Sequence, residues 1–193
     1  MVRILFGFVL ALILVPLVAL AWIKYGNVPV AVADTPFPYE RQITHMALNR
    51  RIDAEMPSTA PIQADEDNLV AGARIYKDNC AFCHGFHGKK SLIGANMFPS
   101  APQLWERHHN GTVVGVSDDP PGETYWKVSN GIRLTGMPSY KKQLTDTQMW
   151  QVTLLLANAD KPLPPVALDI VRGAPAQGSA MEAAPAPHKA GKK

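Results

Sequence analysis

Hydrophobic and polar positions are distributed unevenly along this 193-residue chain. From Ile4 to Ile23 the run ILFGFVLALILVPLVALAWI carries no charge. Such a run, at about 1.5 Å per helical residue, reaches roughly 30 Å, the thickness of a bilayer's hydrocarbon core. In lipid it must be helical, because the helix satisfies its backbone polar groups internally. Pro16 is tolerable there with a kink, and Trp22 and Tyr25 stand where interfacial aromatics anchor a span. Arg3 before the run and Lys24 after it make a weak positive-inside signal. Residues 1–24 are therefore expected to be a transmembrane anchor. The rival reading is a cleaved signal peptide, since Ala19-Leu20-Ala21 and Ala31-Val32-Ala33 resemble cleavage sites, although this run exceeds the usual apolar length of about 7–15 residues. Both readings place the remainder of the chain outside the cytoplasm.

A different pattern occupies residues 66–160. Leu69, Gly72, Ala73, Tyr76 and Cys80 recur at helical spacing, predicting a helix from just after Asp65 to about Cys80. A second helix is predicted from Pro120-Pro121, suited to a first turn, to Asn130-Gly131, a C-terminal stop. A third follows the capping box Thr145-x-x-Gln148, with Trp150, Leu154 and Ala157 on one face. Residues 85–119 are rich in Gly, Pro and Asn and read as loop. Three or four helices with long loops make a thin core for about 95 residues, and a bound prosthetic group would supply the missing apolar mass.

The flanks lack this order. Residues 25–65 are punctuated by Pro and Ala and read as an extended linker or docking arm, with short helical pieces between Ile43 and Ile52. Residues 161–193, with KPLPP and APAQGSAMEAAPAPHKAGKK, read as a disordered Pro/Ala-rich tail that buries too little apolar surface to order itself.

Charge changes this picture little. The chain carries 19 Lys+Arg against 16 Asp+Glu. Within 66–160 nine basic and nine acidic residues cancel. No concentrated basic face is present, so nucleic acid is not an expected partner.

The candidate chemistry lies in Asn79-Cys80-Ala81-Phe82-Cys83-His84-Gly85, where Cys80 and Cys83 are the only cysteines. Four fates are open. A disulfide would close a very small loop and constrain the unfolded chain little. A thioredoxin-like dithiol wants a βαβ pattern, which is not visible. Structural zinc wants four ligands, and Cys80, Cys83, His84 and His87 would be cramped. Cys-x-x-Cys-His reads directly as a covalent haem attachment, two thioethers holding the group and the adjacent imidazole serving as proximal ligand. A thioether opposite histidine raises a haem's reduction potential. Met137, between Gly136 and Pro138 in NGIRLTGMPSY, is the candidate; Met97 is a weaker rival.

The segments GARIYKDNCAFCHG, YWKVSNGIRLTGMPSY and LTDTQMWQVTLLLANA resemble those of class I c-type cytochrome domains, as found in membrane-anchored bacterial monohaem cytochromes and in subunits of respiratory complexes. The resemblance covers residues 66–160 and implies an all-α cytochrome c fold around one haem c. It implies covalent attachment through Cys80 and Cys83, with His84 and Met137 as axial ligands. It also implies a first-to-last helix crossing of Gly72 and Tyr76 against Trp150 and Leu154. Trp126 and Arg133 resemble positions that bond haem propionates, an Arg there making a charge-assisted pair. The segment around Pro99 or Pro102 resembles the one whose carbonyl accepts the proximal histidine's Nδ1–H. Lys89, Lys90, Lys127, Lys141 and Lys142 flank the expected haem edge and would steer an acidic partner, while His45, His87, His108 and His109 are expected to be bystanders.

These readings converge on an electron-transfer protein rather than an enzyme. It would act as a carrier or subunit tethered to the bacterial inner membrane, with its haem domain on the periplasmic side. Expected partners are redox proteins or membrane oxidoreductase subunits, with no small-molecule substrate. An open-site haem enzyme or gas sensor is the alternative if Met137 is not a ligand.

Overall fold

The computed structural model describes residues 2–173. The chain divides into two compact units at residue 50. In the first, α1 (Val2–Tyr25) is uncharged between Arg3 and Lys24, buries no residue, and is long and apolar enough to cross a membrane. Trp22 meets Phe37 edge-on, with centroids 5.9 Å apart. Then α2 (Glu40–Glu55) begins, its first turn capped by the Glu40 carboxylate accepting from Phe37 N at 2.9 Å.

The second unit starts with the last turn of α2. Residues 51–65 do not behave as an extended arm. Ile52 is buried to 2% exposure, the Pro57 carbonyl lies directly on Gly122, and Glu55 accepts from Trp126. The arm's end is thus part of the packed unit. The reason is apolar burial at Ile52 combined with a glycine that lets backbone approach.

Three helices form the frame. α3 (Glu66–Asn79) is capped by Asp65, whose side chain accepts from Asn68 N at 2.9 Å. The four-residue α4 (Ala81–His84) and α5 (Leu92–Ala95) follow. β1 (Arg107–His108) pairs antiparallel with β2 (Val113–Val114), so part of the expected loop is a small hairpin. α6 (Pro121–Asn130) ends at Gly131, φ +67°. α7 (Asp146–Ala157) has the expected capping box between Thr145 and Gln148.

α3 and α7 cross at Gly72. A Cβ there would collide with the Gln151 carbonyl oxygen and lie 3.2 Å from Leu155 Cβ. The crossing is therefore one residue further along α7 than the resemblance implied. The face opposite Gly72 is Gln151 and Leu155, while Trp150 stacks on Tyr125 at 4.2 Å. Tyr76, Val152 and Leu155 are fully buried in the resulting core.

The expected disordered tail is also corrected in part. Residues 165–171 form α8 (Pro165–Val171), with Ala167 and Val171 fully buried in the same core as Leu69, Ala73 and Tyr76. Prolines at its start suit a first turn, and its small apolar residues find a surface on the frame that local composition does not disclose. The expectation for 174–193 lies outside the described residues.

Candidate functional site

Cys80 closes α3, and its own carbonyl starts the next turn, accepting from Cys83 N (3.1 Å) and His84 N (2.9 Å). That turn presents both thiols and the imidazole from α4, the cysteines being unpaired. Gly85 follows at φ +77°, a conformation that glycine adopts without strain, and its carbonyl accepts from the buried Tyr76 hydroxyl at 2.7 Å. α3 thereby fixes both ends of the attachment turn.

The segment 91–104 wraps the same turn. Ser91 Oγ donates to Phe82 O (2.6 Å), Gln103 Nε2 to Cys83 O (3.4 Å), and Leu104 N to His84 O (3.2 Å). A Cβ on Gly94 would collide with Cys83 O, so α5 sits directly on the turn's backbone. His84 Nδ1 lies 2.8 Å from Pro102 O. A carbonyl can only accept, so Nδ1 carries the proton and Nε2 keeps its lone pair free for a metal. Burial pushes the His84 imidazole below its ordinary pKa, with the bond to Pro102 opposing. Burial, then the neighbouring Cys83, pushes the Cys80 thiol up to about 12. A thiol so raised is not a ready thiolate at neutral pH, which speaks against a free redox dithiol.

Met137 arrives on the loop after α6. Ile132 N donates to Met137 O (3.2 Å), Thr135 N to Ile132 O (3.3 Å), and Met137 N to Thr135 Oγ1 (3.1 Å). Leu134, at φ +62° and 89% exposed, sits in the left-handed region that bulky residues rarely adopt. The loop's far end is pinned. Tyr140 N donates to Val128 O (3.1 Å), and Tyr140 Oη donates to Asn79 O (2.8 Å), the residue before Cys80. Burial, then Cys80 and Cys83, raises the Tyr140 phenol to about 12. Met137 and Cys80 both pack against one apolar cluster.

Of the residues expected to gather at a site, Cys80, Cys83, His84 and the Met137 loop are brought together by α3 and Tyr140. Trp126 is engaged elsewhere. Its indole N–H donates to Glu55 Oε2 at 3.0 Å, an acceptor at the end of the arm. Arg133 is exposed on the Met137 loop. Lys127 is held by Glu123 (2.5 Å) and Asp119 (3.9 Å), and Lys90 by Glu106 (3.1 Å), which removes them as unpaired steering charges. Lys89, Lys141 and Lys142 are exposed. His108 and His109 stand on the β1–β2 hairpin with rings 4.7 Å apart. Sequence reasoning missed Ser91, Gln103 and Tyr140. Ser91-x-x-Gly94 carried a local signal, since Ser91 Oγ caps α5 by accepting from Gly94 N at 3.0 Å.

The donor set fits a haem. Two unpaired thiols and an imidazole with Nε2 free share one turn, and a thioether loop is tied to that turn's root. Trp105 is buried beside Tyr76 and His87, with its ring edge-on to Tyr76 at 5.5 Å. Residues 67–155 match the family model described as cytochrome c oxidase, cbb3-type, subunit III. That segment is a c-type cytochrome domain, an electron-transfer module carrying covalently bound haem c, and Cys80 and Cys83 are the chain's only cysteines. Among solved structures, a chain of the reducing HAO-like protein complex of Kuenenia stuttgartiensis is similar at 18% identity and TM-score 0.41 over 73% of this chain. This chain spans 55% of that one's length, and so distant a likeness carries no argument. No curated protein matches the sequence.

Proposed function

We propose that this protein transfers single electrons through one haem c, bonded to Cys80 and Cys83 and ligated by His84 and Met137. We read it as a tethered carrier or as the cytochrome subunit of a membrane oxidoreductase, the kind of assembly named by the matched family. The observation that carries the ligand assignment is the bond from Tyr140 Oη to Asn79 O, which ties the Met137 loop to the root of the attachment turn. When bound, the haem supplies a reversible one-electron couple.

The chain's own groups do the rest. Pro102 O fixes the His84 ring and its tautomer, while Ser91, Gln103 and Leu104 hold the carbonyls of the turn. Gly131 and Tyr140 close the loop that presents the Met137 sulfur. His84 and Met137 would hold the iron from the two sides and leave no position open for a substrate, so the protein would act on potential and partner choice rather than on bonds. α1 is read as anchoring the domain to the bacterial inner membrane with the haem unit on the periplasmic side. Exposed Lys89, Lys141 and Lys142 are read as favouring an acidic face on the redox partner.

Produced in a host able to attach haem c, the protein should carry haem on a denaturing gel. The oxidised form should show the weak near-infrared sulfur–iron band, and Met137→Ala should lose it. A band retained in that variant removes Met137 as ligand. Absence of gel haem in the wild type overturns the attachment. Protease added to spheroplasts should degrade the haem domain; protection until lysis would reverse the assigned side.

A further inference from the structure

The strap that wraps the attachment turn also touches the opposite side of the site. Met97 follows α5, and a Cβ placed on Gly136 would collide with Met97 Cε and lie 3.6 Å from its Sδ. Gly136 is the residue immediately before Met137. Met97 is half-buried although its neighbours Asn96 and Phe98 are exposed. Its base is firm, since Ala95 N donates to Ser91 O (3.1 Å), Ala101 N to Gly94 O (2.9 Å), and α5 presses on the Cys83 carbonyl.

The Met137 loop has few bonds of its own. Of its four internal bonds one is short, Thr135 Oγ1 to Ile132 O at 2.7 Å, the other three are 3.1–3.3 Å, and Leu134 stands in a strained conformation at its tip. A thioether is a weak ligand, so a loosely held one is open to displacement. An unbranched, polarisable methionine suits a brace that must follow a glycine's backbone closely.

We propose that Met97 is a positioning residue for Met137: its thioether end braces Gly136 and holds the ligand loop against displacement of the sulfur. One strap then serves both axial groups, Pro102 O orienting His84 and Met97 steadying Met137. This rests on the reading of Met137 as an axial ligand.

The test is competition on the oxidised holoprotein. Imidazole is titrated against the sulfur–iron band in the wild type, Met97→Ala and Met97→Leu, with thermal unfolding recorded alongside. Met97→Ala should keep the band in the absence of imidazole. Its imidazole midpoint should fall about tenfold, the size expected from losing one half-buried side-chain contact. Met97→Leu, close in volume, should stay within about twofold of the wild type. A merely structural role would lower the thermal midpoint and leave the competition unchanged, and that result overturns the proposal. If Met97→Ala yields no holoprotein, Met97→Val shortens the brace and is read by the same criterion. Loss of the band in Met97→Ala with retention in Met137→Ala would make Met97 the ligand and sink both readings. Loss in Met137→Ala with wild-type competition in Met97→Ala sinks this one alone.

Discussion

Gly72→Ala sets two known effects against each other at the α3–α7 crossing. Replacing a mid-helix glycine by alanine ordinarily stabilises a helix by about 1 kcal/mol, because glycine loses more backbone freedom on folding. At Gly72 the new methyl would collide with the Gln151 carbonyl oxygen, lie 2.7 Å from Gln151 C, and approach Leu155 Cβ at 3.2 Å. The first two are backbone atoms, so no side-chain rotation relieves them and the helices must move apart. They are also tied there, since Gln151 Nε2 donates to Asn68 Oδ1 at 2.9 Å. Overpacking of this kind costs about 1–3 kcal/mol, and here it meets the fully buried Leu155. The clash should win, with a net loss of about 1–2 kcal/mol and a fall of roughly 3–8 °C in the thermal midpoint. Far-UV circular dichroism of the holoprotein measures it. An unchanged or raised midpoint would mean that α3 and α7 do not meet at this glycine, and the reasoning would be refuted.

Two further changes probe the frame. Thr145→Ala removes the hydroxyl that accepts from Gln148 N and should lower stability by about 1 kcal/mol, while Thr145→Ser should restore most of it; denaturant midpoints decide. Glu55 is held below the ordinary carboxylate range by its bond from Trp126 and then by Arg51. Its folded value is depressed, so its contribution is complete above the unfolded value and is lost as pH falls through the folded one. Glu55→Gln should therefore flatten that part of the acid limb of the stability profile, and coincident pH profiles for variant and wild type would refute the Trp126–Glu55 bond.

The frame helices were legible because their limits are written locally. Asp65 caps α3, Thr145 and Gln148 box α7, and Pro121 and Gly131 bracket α6. Each signal needs only a few neighbouring residues. The register of the crossing was not legible, since Trp150 and Gln151 both lie on plausible faces and only the partner helix decides between them. α8 was hidden for a related reason. Its short PVALDIV segment has little intrinsic stability as an isolated helix. Ala167 and Val171 become ordered by burial in the core, which composition cannot report. The partner of Trp126 was not legible either, because a tryptophan's N–H finds whichever acceptor the fold brings near, and Glu55 comes from seventy-one positions away.

At the site, the candidate ligand motifs stand out in the sequence and the contacts that surround them do not. Cys80, Cys83, His84 and Met137 are chemically distinctive residues at telling positions. The groups that hold them act mostly through backbone: Pro102 O on His84, Leu104 N on His84 O, and Tyr140 Oη on Asn79 O. Any residue offers a carbonyl, so such contacts leave almost no mark on sequence. What they do mark is where side chains are forbidden. Gly94 has no room for a side chain because Cys83 O lies against it, whereas a Cβ on Gly136 would meet only the flexible end of Met97. Both glycines face the same strap, one from within it and one from across the site. A side chain at Gly94 would push the strap off the turn whose imidazole Pro102 O orients. Gly94, Gly115 and Gly122 are therefore read better as contact points than as signs of looseness, and the expected loop is an element that packs directly on the attachment turn.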